Sequence, residues 1–334
     1  MYNERENFLR TLSGDHPDHF VNEWEPFELI DDDPLIVHTR GGVRKKGSHL
    51  HDIFGTYVMF PEDQNFAMPH VTDDCKALPD ITEWRDYVKK PDLSPVDKDE
   101  LWAPVLERVN AVNRKEKLVM GFMETGLFER MHYLMGFEDA LCNLLVEPES
   151  CQELLQLLLE HKLEYAKILI DRIHPDIILS HDDWGEKLRL FMSPDVWREF
   201  FKPLYTELYG YIKSRGVLVM HHADSHCADI VEDMTEAHID VWQGCLPEND
   251  IPALQARLKG KMTLMGGLNV ALVDTVYATE EVIREEVRRA CAEYGPGGYF
   301  IPCITYGGIG TIYPHVDGIV KDEIAKCSPL YFKS

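Results

Sequence analysis

The chain has little positive charge: 34 lysines and arginines stand against 58 aspartates and glutamates, a formal charge of -24 over 334 residues. Nucleic acids and anionic membrane surfaces both demand clustered cations, so neither is an expected partner. No apolar run reaches the roughly 18 residues of a membrane span, and the polar opening MYNERENFLR does not resemble a signal peptide. A bacterial or archaeal cytoplasm is the expected compartment. Cys-x-x-Cys pairs are missing as well: Cys75, Cys142, Cys151, Cys227, Cys245, Cys291, Cys303 and Cys327 are scattered. Free thiols with at most one metal site fit that scatter better than a disulfide framework. Linkers, low-complexity stretches and internal repeats are also absent, so residues 1–334 read as a single domain. Two glycine clusters, Gly295-Pro296-Gly297-Gly298 and Gly307-Gly308-Ile309-Gly310, lack the Lys and Ser/Thr of a phosphate loop and read as turns.

What is present is an alternation of short apolar runs and helical periods. The clearest stretch is 217–245. Val217–Met220 reads as a buried strand ending on His221-His222-Ala223-Asp224. A helix with Ile230, Val231 and Met234 on one face follows. A second strand, Ile239–Trp242, then ends on Gln243-Gly244-Cys245. Similar units recur. The pattern predicts a strand at His19–Val21 with Asn22-Glu23-Trp24 at its tip, and one at Leu118–Phe122 ending on Met123-Glu124-Thr125. Others are predicted at Asp176–Ser180 with the tip His181-Asp182-Asp183-Trp184, at Met262–Met265, and at Tyr299–Ile301 ending on Pro302-Cys303. About seven strand–tip–helix units approach the eight of a (β/α)8 TIM barrel. The fold class is therefore α/β. Residues 31–75, rich in Gly, Asp and aromatics, read as an irregular N-terminal insertion near the barrel mouth.

Parallel strands place their tips on one face, and there a barrel carries its chemistry. Imidazole, thiol and carboxylate at neighbouring tips make His222, Cys245, Cys303 and Asp224 candidate ligands for zinc. The alternative makes the cysteines small buried packing residues and His222 a hydrogen-bonded rim group. Asp182 and Asp183 end a buried strand beside Trp184; successive side chains on a strand point opposite ways, so one of the two should face the mouth as an acid or base. With His222 they are the catalytic candidates. Glu23, Trp24, Glu124, Trp184, Gln243 and Tyr306 are the candidate substrate contacts, and Phe54, Tyr57 and Trp242 add to the aromatic supply expected there.

The run Asp176–Tyr205, with DDWG at 182–185 and MSPDVWREFFKPLY at 192–205, resembles the uroporphyrinogen decarboxylase superfamily. So do the His222 tip, Leu264-Met265-Gly266-Gly267-Leu268-Asn269 and the approach to Cys303. The resemblance implies a (β/α)8 barrel. Decarboxylase activity is not expected, because Asn22-Glu23-Trp24-Glu25, taken as the first tip, lacks the arginines that bind porphyrinogen carboxylates, and the chain is strongly acidic. The resemblance points instead to the cobalamin-dependent methyltransferases, whose His-x-Cys motif and later Cys hold zinc; here His222 and Cys303 match, with Asp224 in place of the first Cys. Asp224–Asp229 approaches the Asp-x-His-x-x-Gly corrinoid pattern, but Asp229 replaces the glycine, so cobalamin is expected on a separate corrinoid protein. The resulting expectation is transfer of a methyl group from a small-molecule donor, an aromatic methyl ether, to that partner's cobalt. Transfer from methylcobalamin to a thiol and a non-catalytic binding barrel are the alternatives. The sequence leaves oligomeric state open between monomer and homodimer.

Overall fold

The computed structural model describes residues 1–64, 67–305 and 312–332. Seven parallel strands form one curled sheet: β1 (Phe27–Ile30), β2 (Leu118–Met123), β3 (Ile177–His181), β4 (Leu218–His222), β5 (Val241–Cys245), β6 (Thr263–Gly267) and β7 (Phe300–Cys303). Each pairs with the next in sequence, as helical crossovers between consecutive strands require. The architecture is the expected α/β TIM-barrel type, with seven strands rather than eight among the described residues.

The first strand differs from expectation. His19–Val21 forms no strand; the sheet begins at Phe27, whose neighbour is Leu118. The expected tip at Asn22–Trp24 is instead a turn that spans the seam between β1 and β7. Val21 joins the interior cluster, and the Glu23 carboxylate accepts the Ile304 amide just beyond β7. The tip after β1 is Asp31-Asp32-Asp33, and Asp33 caps the helix Pro34–Thr39. The exclusion of decarboxylase chemistry drawn from residues 22–25 therefore loses its basis: two arginines, Arg40 and Arg44, follow β1 at an Arg-x-x-x-Arg spacing.

Alternation along the strands builds the interior. Leu118 and Met120, Ile177 and Leu179, Leu218 and Met220, Val241, Met265, Ile301 and Cys303 share one inner cluster with Phe8. Phe8 comes from the helix Glu4–Ser13, which Asn3 caps and Gly14 ends at φ 68°, and it packs edge-on against Phe27 at 4.9 Å. A larger outer cluster joins the sheet to the surrounding helices. Helix bounds follow backbone chemistry more closely than periodicity. The run 128–146 divides at Gly136 (φ 97°), and the helix capped by Ser193 restarts at Lys202, where Pro203 provides no amide hydrogen.

The described residues of the insertion over 31–75 include the helix Pro34–Thr39 and a small antiparallel sheet of three short strands, His49–His51, Tyr57–Met59 and Met68–Pro69. Three ion pairs join the insertion to the barrel among the described residues: Asp52 with Arg130, both buried, Arg40 with Glu124 at the tip of β2, and the exposed pair Asp32 with Arg108. Among the described residues no helix is long and apolar enough to cross a membrane.

Candidate active site

The inward phase of β3 runs Ile177, Leu179, His181 and that of β4 runs Leu218, Met220, His222, so both strands end their interior face on an imidazole. The register pairs His181 with His222, and their rings stack at 4.5 Å and 17°. Asp183 joins them, and the ligating atoms of His181, Asp183 and His222 all lie within 4.8 Å of one another. Both histidines are anchored from behind. His181 Nδ1 meets Glu129 Oε2 at 2.8 Å, and His222 Nδ1 meets the Gln243 side-chain oxygen. These are acceptors, so each ring carries its proton on Nδ1 and turns Nε2 toward the cluster. A carboxylate or amide oxygen behind the ring is the arrangement that orients a metal-ligating histidine.

The electrostatics divide the two rings. Burial pulls His181 down, but the Glu129 carboxylate outweighs it and raises the ring to about 10, so a cation taking its Nε2 would have to displace a proton; Glu129 is held low by the same pairing against its own desolvation. Burial and the neighbouring His181 charge push His222 down to about 3. Burial raises Asp183 to about 6, with His181 opposing. Asp224, whose backbone amide donates to Asp183 at 3.1 Å, is raised to about 7 by burial and by Asp183.

Asp182 and Asp183 diverge as strand alternation requires. Asp182 has no exposed surface. It accepts the amides of Phe128 (3.0 Å) and Glu129 (2.8 Å), the Trp184 indole (2.9 Å) and the Tyr205 hydroxyl. Four donors occupy the lone pairs of one carboxylate, so Asp182 fastens the β3 tip to the start of the helix Leu127–Met135. That helix must pass close: a Cβ added at Gly126 would lie 2.1 Å from Asp182. Asp183 alone of the pair reaches the histidines.

The other candidates are placed differently. Trp184 and Trp242 are completely buried; Trp184 stacks on His221 at 4.0 Å, and Trp242 donates to the Ala223 carbonyl. Trp24 packs on Phe27 at the start of β1 rather than at a tip. Glu124 is held below the ordinary carboxylate range despite its burial, by a two-point bond to Arg40. Gln243 is buried and committed to His222. Tyr306 lies outside the described residues, as does the 307–310 glycine cluster.

The expected ligand set does not come together around His222. A β-bulge at Gly244 (φ 95°) shifts the register of β5 between Gln243 and Cys245. Cys245 leaves the interior phase and joins the outer cluster, where burial keeps its thiol neutral. Cys303 does face inward, but burial and the Glu23 carboxyl raise its thiol too, and Gln243 stands between it and His222. His181 and Glu129 were not singled out from the sequence. The phase of Ile177 and Leu179 could have indicated His181; nothing linear points to Glu129, which arrives on a neighbouring helix.

The two imidazoles and one carboxylate fit a divalent ion of zinc type. Zinc–nitrogen bonds of about 2.0–2.1 Å put ligands nearer than 4.8 Å, so the cluster would contract modestly. Arg44 is the one arginine among the described residues with no carboxylate within ion-pair distance; its Nε is buried without a partner, and the charges it feels are Glu124, Arg40, Asp52 and Arg130 rather than the cluster. Its charge is felt by Glu124 across the β2 tip. A cavity of about 870 Å3, lined by Val37, His38, Ile53, Val96, Leu101 and Arg108 among others, lies beside the insertion and shares no residue with the cluster.

Comparison with known proteins follows this geometry. The profile of the family Uroporphyrinogen decarboxylase (URO-D) matches residues 51–303. Among solved structures, a methyltransferase from Methanosarcina mazei is similar over 100% of both chains, at TM-score 0.65 and 14% identity. A β-1,4-mannanase (TM-score 0.40, 12% identity, 68% of this chain and 78% of that one) and a xylose isomerase-like TIM barrel protein from Mycobacterium smegmatis (TM-score 0.35, 11% identity, 73% and 80%) are more distant. No curated protein matches the chain.

Proposed function

Because the chain belongs to the uroporphyrinogen decarboxylase family, we propose that it is a cytoplasmic methyltransferase acting on a small-molecule donor, an aromatic methyl ether. The acceptor is the cobalt of a separate corrinoid protein. The observation that carries this reading is the His181–Asp183–His222 cluster facing into the mouth, with both Nδ1 atoms anchored. The full-length likeness to a methyltransferase supports the same direction.

A methyl group leaving an aryl oxygen leaves a phenolate behind, a poor leaving group unless its charge is met. Zinc held by His181 Nε2, His222 Nε2 and an Asp183 oxygen would supply a Lewis acid for that oxygen. The chain's own residues do the rest. Glu129 and Gln243 fix the two rings, so no reorganisation is needed when charge appears. Asp183 would enter the ligand set as a carboxylate, so the proton that burial favours on it would be given up when the ion binds. Transfer to a thiol is less well supported, because thiol activation needs thiolate ligands and Cys303 stands behind Gln243.

The test is spectrophotometric. The purified protein, a reduced corrinoid protein and a panel of methoxylated benzoates are mixed, and methyl–cobalt formation is followed. Methylation dependent on all three supports the reading; demethylation without any cobalamin, or no transfer from the panel, overturns it.

A further inference from the structure

Behind the tip of β2 lies a small cavity of about 10 Å3, between the insertion and the helices Leu127–Met135 and Pro148–Ile173. None of His181, Asp183 and His222 lines it. Three buried side chains that do are Thr39, His161 and Lys162, which are 6%, 3% and 8% exposed. Thr39 Oγ1 and His161 Nδ1 have no hydrogen-bond partner. Lys162 Nζ donates once, to the Glu124 carbonyl at 2.5 Å, and two of its three donors remain. Buried polar atoms left unpaired are costly, so two of them and a lysine with spare donors around one void call for an occupant.

Charge identifies that occupant. Arg130 is neutralised by Asp52, and Glu124 by Arg40. Among the described residues Lys162 has no carboxylate within ion-pair distance, and Glu124, which also lines the void, is committed to Arg40, so the lining carries one cation without a paired anion. Burial and Arg130 push the amine down to about 7. A lysine so placed either sheds its proton or takes an anion. Size narrows the choice, since the void holds about one water-sized body and is too small for a carboxylate or a phosphate. We propose that this cavity binds a monovalent anion of chloride size, held by Lys162 Nζ, Thr39 Oγ1 and His161 Nδ1–H. The same void is lined by Thr125, Gly126 and Leu127, the turn that leads into the helix on which Glu129 orients His181. The ion would brace that turn.

Two measurements test this. Crystals soaked in sodium bromide and measured at the bromine absorption edge should show an anomalous peak in contact with the three side chains; a water or no peak there overturns the proposal. In solution, exchanging gluconate for chloride or bromide at constant ionic strength should raise the melting temperature by about 2–4 °C. Lys162→Met should abolish the halide-specific rise. Thr39→Val, nearly isosteric and safer for folding, should also abolish or sharply reduce it. Equal melting in gluconate and halide, or a halide-specific rise that survives both substitutions, overturns it.

Discussion

On the β3–β4 side of the mouth the interior layer ends in His181 and His222 with Asp183 beside them; on the β5–β7 side it ends in Gln243 and Cys303, backed by Glu23. His222, Gln243 and Cys303 are buried, His181 and Asp183 are half-buried, and both sides contain elements able to ligate metal. They differ in what burial does to the donor atom. A neutral imidazole has a lone pair ready, and desolvation favours that form, as at His222. A thiol binds metal as thiolate, which desolvation disfavours, and the adjacent Glu23 carboxyl raises Cys303 further. Burial thus favours the ligating form at His222 and disfavours it at Cys303, while His181 keeps its proton through Glu129 until a cation displaces it.

The largest test of that contrast removes each wall in turn. If the proposed ion is held at the His181–Asp183–His222 cluster, His222→Ala should leave the protein without it and lower methyl transfer by ~10²–10⁴-fold with an unchanged melting temperature, whereas Cys303→Ser should bind one equivalent of metal. Elemental analysis decides. Metal retained in His222→Ala and lost in Cys303→Ser would reverse the assignment.

The adjacent aspartates make a second contrast within one wall. Asp183→Asn should weaken metal binding and cut single-turnover rate by about 10²-fold while melting normally. Asp182→Asn puts an amide among four donors and should cost about 3 kcal/mol or more, with activity falling only as folded protein is lost. Thermal melts paired with single-turnover rates separate the two. A normal melt with a large rate loss in Asp182→Asn would make it part of the chemistry.

Glu129→Gln should have a smaller effect, roughly 10–100-fold in metal affinity, because the ring loses its charged anchor but keeps a hydrogen-bond acceptor. Isothermal titration with zinc measures it, and an unchanged affinity would reduce Glu129 to a packing residue.

The smallest effect concerns Glu23. Burial raises its carboxyl from 4.5 to about 7. The folded state therefore binds this proton more tightly than the unfolded chain, and stability falls as pH rises through that window. Glu23→Gln should remove up to roughly 3 kcal/mol of that fall, read as a flatter melting-temperature profile between pH 5 and pH 8. A profile unchanged by the substitution would mean that Glu23 is ionised in the fold.

The sequence alone determined the barrel class, because strand and helix periods are local: Ile177–Ser180 and Leu218–Met220 can be read as buried strands without knowing their neighbours. It also marked the tips at 181–184 and 221–224 as candidates for chemistry, since imidazoles and carboxylates cluster there at the ends of neighbouring buried strands. It could not locate the first strand. Val21 is as apolar as a strand residue, and only its packing across the β1–β7 seam shows that it is none. Nor could it choose among ligands. Whether Cys245 faces inward depends on a bulge at Gly244, whether Asp182 is free depends on amides from another helix, and whether His181 can ligate depends on Glu129, 52 positions away in the chain. Each of those is a long-range contact. A side chain's identity fixes which donors it can offer, but its partners fix which lone pair remains, and partners are decided by tertiary packing.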